Sequence, residues 1–273
     1  MPYVTTSDGV ELFVKDWGRG RPVVLVHGWR LSSDTWDELA LTLAEQGYRA
    51  VAYDRRGFGR SDQPWQGYDY DRFADDLSDV MTELDLRDAA IVGFSMGGGE
   101  VARYLSRHGA ERVRQAALIG SIVPYLLKTR DNPHGAPQEV LDEIGASIRD
   151  DRAAFFQTFF RNFYGIGMIS QPVSNGVIEN SWRQAMMAGL HPILAAARAF
   201  GSTDLRNDLA AFTVPTLIVH GTDDAIVPID ATSRAAARAI PQARLIEYDG
   251  GPHGLLATHT QEIARDVLAF LGE

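Results

Sequence analysis

The chain has 273 residues, 45% of them hydrophobic and 23% charged, which suits one large α/β domain or a core with a small insertion. A net charge of −10 with scattered Lys and Arg speaks against a nucleic-acid or anionic-membrane partner. With no cysteine, disulfides, thiolate metal sites and cysteine nucleophiles are excluded together.

In chain order, the start YVTTSDGVELFVKDWG carries charges where a signal peptide needs an apolar run. It reads as a hairpin turning at Asp8-Gly9. Apolar runs of strand length follow: PVVLVHG at 22–28, YRAVAYD at 48–54, AAIVGF at 89–94, RQAALIG at 114–120, TLIVHG at 216–221 and ARLIEYD at 243–249. Most are unbroken rather than alternating, as in strands buried on both faces of a parallel sheet. Helical patterns lie between them: Ser33 to Gln46, with Ser33 or Asp34 as N-cap and Gly47 as stop, then Asp69 to Leu84, Met96 to His108, Ile229 to Ile240 and Thr260 to Leu271. Alternating strands and helices predict a doubly wound α/β sheet. No apolar run approaches the roughly 20 residues that span a bilayer, so a soluble cytoplasmic protein is expected.

The stretch from about 122 to 210 breaks this alternation. It holds helical segments near 138–149, 151–163, 174–189 and 191–202 and no convincing strand. We read it as a helical cap at 122–210 between two core parts, 1–121 and 211–273. A second, independent helical domain is the alternative. Its Phe155, Phe156, Phe159, Phe160 and Phe163, with Met186 and Met187, are expected mainly in packing between cap and sheet, with some walling a pocket.

Gly93-Phe94-Ser95-Met96-Gly97 falls where the run AAIVGF meets the helical pattern after it. G-x-S-x-G at a strand-to-helix junction is the nucleophile elbow. The helix N-terminus favours a developing oxyanion there. A serine hydroxyl needs a base, and the base an orienting carboxylate, in the chain order serine, acid, histidine. Of the two histidines after the last core strand, His253 in a glycine-rich loop is preferred over His259 at the start of the last helix. Of Asp223 and Asp224 after TLIVHG, Asp224 is preferred and Asp223 is left to cap the turn. The oxyanion donors expected are the backbone N–H groups of Met96 and of Trp29, whose indole also suits an acyl-pocket wall. His27 and His220, each in a strand-end His-Gly pair, read as ties for loop backbone. His108, His134 and His191 are scattered without ligand spacing, so no metal site is expected. The run Gly97–Gly99 lacks the Lys-Ser/Thr of a phosphate loop and reads as a close helix–sheet contact.

Over the whole chain, VLVHGW, AYDRRGFGRSD, GFSMGGGEVARYLSRHG, HGTDDAIVP and GGPHGLLATH resemble the α/β-hydrolase superfamily. More narrowly, they resemble the bacterial cofactor-free haloperoxidases, or perhydrolases, and the aryl esterases. The resemblance implies a mostly parallel eight-stranded sheet under an inserted cap. It implies Ser95 as nucleophile, Asp224 as acid, His253 as base, and Trp29 and Met96 as oxyanion donors. It also implies ester hydrolysis through an acyl-enzyme without a cofactor, peroxide replacing water as acyl acceptor, and assembly as trimers or hexamers. Epoxide hydrolases and haloalkane dehalogenases, with Asp at the position of Ser95, fit less well. Arg30 departs from the pattern, which has an apolar residue or proline on the acyl side. We expect Arg30 to face solvent, with a place in the acyl pocket, where it would recognise an anionic group, as the alternative. An apolar pocket predicts small apolar or aromatic esters. A lactonase, amidase or γ-lactamase on the same triad stays open, as does a non-catalytic ligand receptor.

Overall fold

The computed structural model describes residues 3–273. Strands β1 (Tyr3–Thr5) and β2 (Glu11–Gly18) form the expected hairpin, with Gly9 at φ 83° in its turn. Then come β3 (Pro22–Val26), β4 (Arg49–Tyr53), β5 (Ala89–Phe94), β6 (Val113–Ile119), β7 (Thr216–Gly221) and β8 (Ala243–Tyr248). They make one eight-stranded sheet in the order β1-β2-β4-β3-β5-β6-β7-β8. β1 and β2 run antiparallel to their neighbours, and every pair from β4 onward is parallel. Each residue of β5 and β7 is buried, so the sheet is covered on both faces there. That burial is the physical source of the unbroken apolar runs.

Helices α1 (Asp37–Glu45), α2 (Tyr70–Glu83) and α3 (Met96–His108) connect the first strands. Between β6 and β7 lie α4 (Gln138–Phe163), α5 (Asn175–Met187) and α6 (Leu190–Ser202). α4 carries a break at Asp151 (φ −148°, ψ 90°), which separates the two segments expected there. The chain closes with α7 (Ser233–Ala239), α8 (Leu255–Thr258) and α9 (Thr260–Leu271). Among the described residues no helix is long and apolar enough to cross a membrane.

Two helix starts differ from expectation, the first because tertiary partners take the backbone and the second because a local turn does. The stretch expected to open at Ser33 or Asp34 begins with a 3-10 turn, Ser33–Trp36, capped by Ser32, and becomes α-helical at Asp37. Asp54 accepts from the Ser33 N–H at 2.7 Å, and Gln184 from the Ser32 N–H at 3.1 Å. The helix expected from Ile229 starts at Ser233. The residues before it are drawn into a loop, where the Thr232 hydroxyl donates to the Pro228 carbonyl at 2.8 Å.

The glycines of α3 let it lie against the sheet. A Cβ on Gly97 would sit 2.3 Å from the Val26 carbonyl oxygen, and one on Gly98 2.0 Å from Ser121 Oγ. Below this contact lies a buried ionic cluster. Arg55 donates through Nε to Glu100 at 2.6 Å and through Nη2 to the His27 carbonyl at 2.8 Å. Tyr53 also donates to Glu100. The cluster ties the end of β3 and the loop after β4 to α3, and so holds the HGWR loop beside Ser95. Both ionic side chains are fully buried, so loss of one partner strands the other. Glu100→Ala is expected to destabilise the protein by about 3–5 kcal/mol, as such buried pairs do when broken. Urea unfolding reads this directly, and a midpoint unchanged from wild type would show that the cluster carries no stability.

Candidate active site

Ser95 sits between β5 and α3 with φ 55° and ψ −119°. A non-glycine residue in this region costs about 1–3 kcal/mol and persists only where the surroundings hold it. Here the Ser95 N–H donates to the Ile119 carbonyl at 2.9 Å, and its carbonyl accepts from Gly98 N at 3.1 Å. A Cβ on Gly93 would lie 2.6 Å from the Gly97 carbonyl, so the elbow closes only with glycine there.

His253, in the loop after β8, lies 2.9 Å through Nε2 from Ser95 Oγ. Its Nδ1 lies 2.6 Å from Asp224 Oδ2. The carboxylate accepts at Nδ1, so Nδ1 carries the proton and Nε2 is free to accept from the Ser95 hydroxyl. The imidazole is 2% exposed, and Phe94 (5.2 Å) and Phe163 (5.0 Å) flank its ring. Asp224 lies after β7 and accepts from Ile226 N (2.9 Å) and Val227 N (2.8 Å) through Oδ1. Burial alone would raise its pKa. The electrostatic attraction of His253 and hydrogen bonds from His220 and His253 outweigh that and hold the carboxyl well below its ordinary range.

His220 ties loop backbone as expected and adds a contact the sequence did not reveal. Its Nε2 lies 3.1 Å from the Val227 carbonyl and 3.0 Å from Asp224 Oδ2. Both are acceptors, so Nε2 carries the proton, and Nδ1 accepts from the Ser233 hydroxyl at 2.6 Å. The i, i+4 spacing of His220 and Asp224 was the available signal. His27 also ties backbone: Arg55 N donates to Nε2 at 2.9 Å, and Nδ1 donates to the Gly28 carbonyl at 2.7 Å. Burial, followed by the Arg55 charge, lowers the His27 pKa to about 3, so this ring stays neutral. Asp223 is exposed and bonds through its N–H to the Gly251 carbonyl at 3.0 Å. His259 packs on Tyr248 away from Ser95 and bonds to Thr258. Among the described residues no cluster of His, Asp or Glu has metal-ligand geometry.

A cavity of about 590 Å³, counted with its open mouth, meets Ser95 and His253. Trp29, Met96, Phe159, Phe163 and Phe200 line it, so part of the phenylalanine stripe walls the cavity while Phe156 and Phe160 are fully buried behind it. Among the described residues neither the Trp29 nor the Met96 N–H has an acceptor in the turns and loops, which leaves both free beside Ser95. The Trp29 indole donates to the Ile193 carbonyl at 2.9 Å, fixing the ring as a wall.

Arg30 does not face solvent, contrary to expectation. It is 2% exposed, lines the cavity, and holds a left-handed backbone at φ 55°. Its guanidinium carbon lies 3.5 Å from the Phe159 ring centroid, 4.6 Å from Trp29, 4.9 Å from Phe160, 5.4 Å from Phe156 and 5.5 Å from Phe163. Nε and Nη2 are buried without a hydrogen-bond partner, and no carboxylate among the described residues pairs with the group. Burial, partly offset by Tyr164, pulls its pKa well below 12.5. Each cation–π contact returns about 0.5–2 kcal/mol, against a desolvation penalty of several.

Comparison with known proteins gives the family. Residues 21–260 match the family model for the alpha/beta hydrolase fold. The chain is 45% identical to a non-heme chloroperoxidase of Kitasatospora aureofaciens, with 100% of both chains covered. It is 43% identical to a bifunctional esterase/perhydrolase of Acinetobacter calcoaceticus, with 99% of each covered. The crystal structure of a bromoperoxidase from Bacillus anthracis, 41% identical, superposes with a TM-score of 0.96 over 99% of both chains. The chain belongs to the α/β-hydrolase family and is a full-length relative of its non-heme haloperoxidases and perhydrolases.

Proposed function

We propose that this protein is a serine hydrolase that cleaves small carboxylic esters through an acyl-enzyme and passes the acyl group to water or to hydrogen peroxide. The observation that carries the reading is the hydrogen-bonded chain from Ser95 Oγ through His253 to Asp224, at 2.9 and 2.6 Å, on a strained elbow at the cavity floor. In the proposed mechanism Ser95 Oγ attacks the ester carbonyl as His253 Nε2 takes its proton. Asp224 holds the resulting imidazolium. The Trp29 and Met96 N–H groups stabilise the oxyanion. Collapse expels the alcohol, which receives the proton from His253. His253 then takes a proton from water as the water oxygen attacks the acyl carbon, and the second tetrahedral intermediate collapses as His253 returns that proton to Ser95 Oγ, giving the acid and free Ser95.

When peroxide is the acceptor, the same step yields a peracid. A released peracid oxidises a halide and is itself reduced to the acid, so halogenation follows from acyl transfer. The names of the chloroperoxidase and esterase/perhydrolase relatives support this pairing. Residues 122–210 serve as a cap whose Phe159, Phe163 and Phe200 set the acyl size.

Hydrolysis of 4-nitrophenyl acetate against 4-nitrophenyl octanoate tests the reading. Acetate turnover is expected to exceed octanoate turnover by tenfold or more in kcat/KM, with peracid formed from acetate esters once peroxide is added. Octanoate preference would overturn the small-acyl assignment, and absence of peracid would remove the peroxide branch.

A further inference from the structure

We infer that Arg30 and its aromatic box form a carboxylate subsite in the cavity above Ser95, so that the preferred substrate is an ester whose own chain carries a second, free carboxylate. This rests on the hydrolase reading above and narrows its substrate class, replacing the expectation of purely apolar esters.

Four observations carry it. Arg30 lines the same cavity as Ser95 and His253, so a group bound to one lies within a short chain of the other. The side chain is 2% exposed, yet Nε and Nη2 have no partner. A guanidinium offers five N–H donors in a planar fork that matches a carboxylate. A buried cation with unmet donors is the half of an ion pair that a ligand completes. The third observation is the box itself. The rings of Trp29, Phe156, Phe159, Phe160 and Phe163 lie 3.5–5.5 Å from the guanidinium carbon and supply no competing acceptor. Finally, Arg30 holds φ 55°, a backbone state unfavourable for arginine, at the point where its side chain is buried in the cavity wall. The remaining lining is nearly all apolar, which leaves Arg30 as the cation that a ligand there meets.

The substrate class this describes is the monoester of a short dicarboxylic acid. The scissile carbonyl sits at Ser95, the free carboxylate at Arg30, and hydrolysis adds water to release the alcohol and the dicarboxylate.

Two measurements test it. The first compares kcat/KM for monoethyl glutarate with that for ethyl 4-carbamoylbutanoate, which has the same shape without the charge. Wild type is expected to favour the anion at least tenfold. Arg30→Met should lower that ratio tenfold or more, and Arg30→Lys should restore part of it. The second is calorimetric titration of glutarate into Ser95→Ala protein at low salt. Binding is expected, and it should weaken at least tenfold when Arg30→Met is added. Glutarate binding by Ser95→Ala protein with no turnover of either ester by wild type would uphold the subsite and sink the hydrolase reading. Serine-dependent turnover without preference for the anion would sink the subsite and leave the hydrolase reading intact. A ratio that Arg30→Met leaves unchanged, or no glutarate binding by Ser95→Ala protein, overturns the subsite as well.

Discussion

Ser95→Ala is expected to lower kcat/KM for ester hydrolysis by about 10⁴-fold or more, while the protein stays folded. Loss of a catalytic serine removes the covalent route altogether, and what remains is the weaker catalysis of oxyanion donors and binding. The fold should survive because Ser95 contributes to it chiefly through backbone hydrogen bonds, which alanine keeps. Alanine bears the same strain at φ 55° as serine, so it neither relieves nor adds to the cost of the elbow. Thermal unfolding should therefore move little, and the activity loss is then chemical. Serine-independent turnover at more than a hundredth of the wild-type rate would show that Ser95 is not the nucleophile.

Asp224→Asn is expected to cost about 10³–10⁴-fold in kcat with little effect on KM. The asparagine amide can present N–H to His253 Nδ1, which then becomes an acceptor and moves the ring proton to Nε2. In that tautomer Nε2 cannot take the proton of Ser95. The geometry is kept and the chemistry lost, so a variant with near-normal turnover would remove Asp224 from the mechanism. The same substitution has a pH signature. The carboxyl of Asp224 is held well below its ordinary value of 3.8 in the folded state, so the folded protein binds that proton less readily than the unfolded chain. Its contribution to stability is complete above about pH 4 and is lost as pH falls through the folded value. Asp224→Asn should lack that component. Denaturant unfolding at pH 7 and at pH 3 reads the difference, and an identical acid dependence in both proteins would show that Asp224 is not stabilised as an anion.

Much of this molecule was legible before its coordinates. Six of the eight strands fall at their apolar runs and the first two at the expected hairpin; strands covered on both faces, such as β5 and β7, must be apolar throughout. α3 begins and ends as read, since Gly109 at φ 76° stops it and the serine elbow starts it. The helical pattern read from Asp69 begins as α2 at Tyr70, with Asp69 capping it through the Arg72 N–H. These are local matters of pattern, cap and turn, and the chain order of serine, acid and histidine brings Ser95, Asp224 and His253 onto one edge of the sheet.

Other features rest on partners far along the chain. Ser32 and Ser33 are held by Gln184 and Asp54, so the first turn of that helix tightens. His220 looked like a loop tie and proved also to contact Asp224. Arg30 shows the division most clearly. Its neighbours Trp29 and Leu31 do not reveal which way it points, because four of the five rings that enclose it come from α4, more than a hundred residues later. The sequence by itself determined the sheet, the elbow and the order of the three polar side chains, since periodicity and turn chemistry are local and additive. The tertiary structure alone decided that a cation lies inside the cavity with its donors unmet, because burial and partnership are properties of segments brought together only by folding.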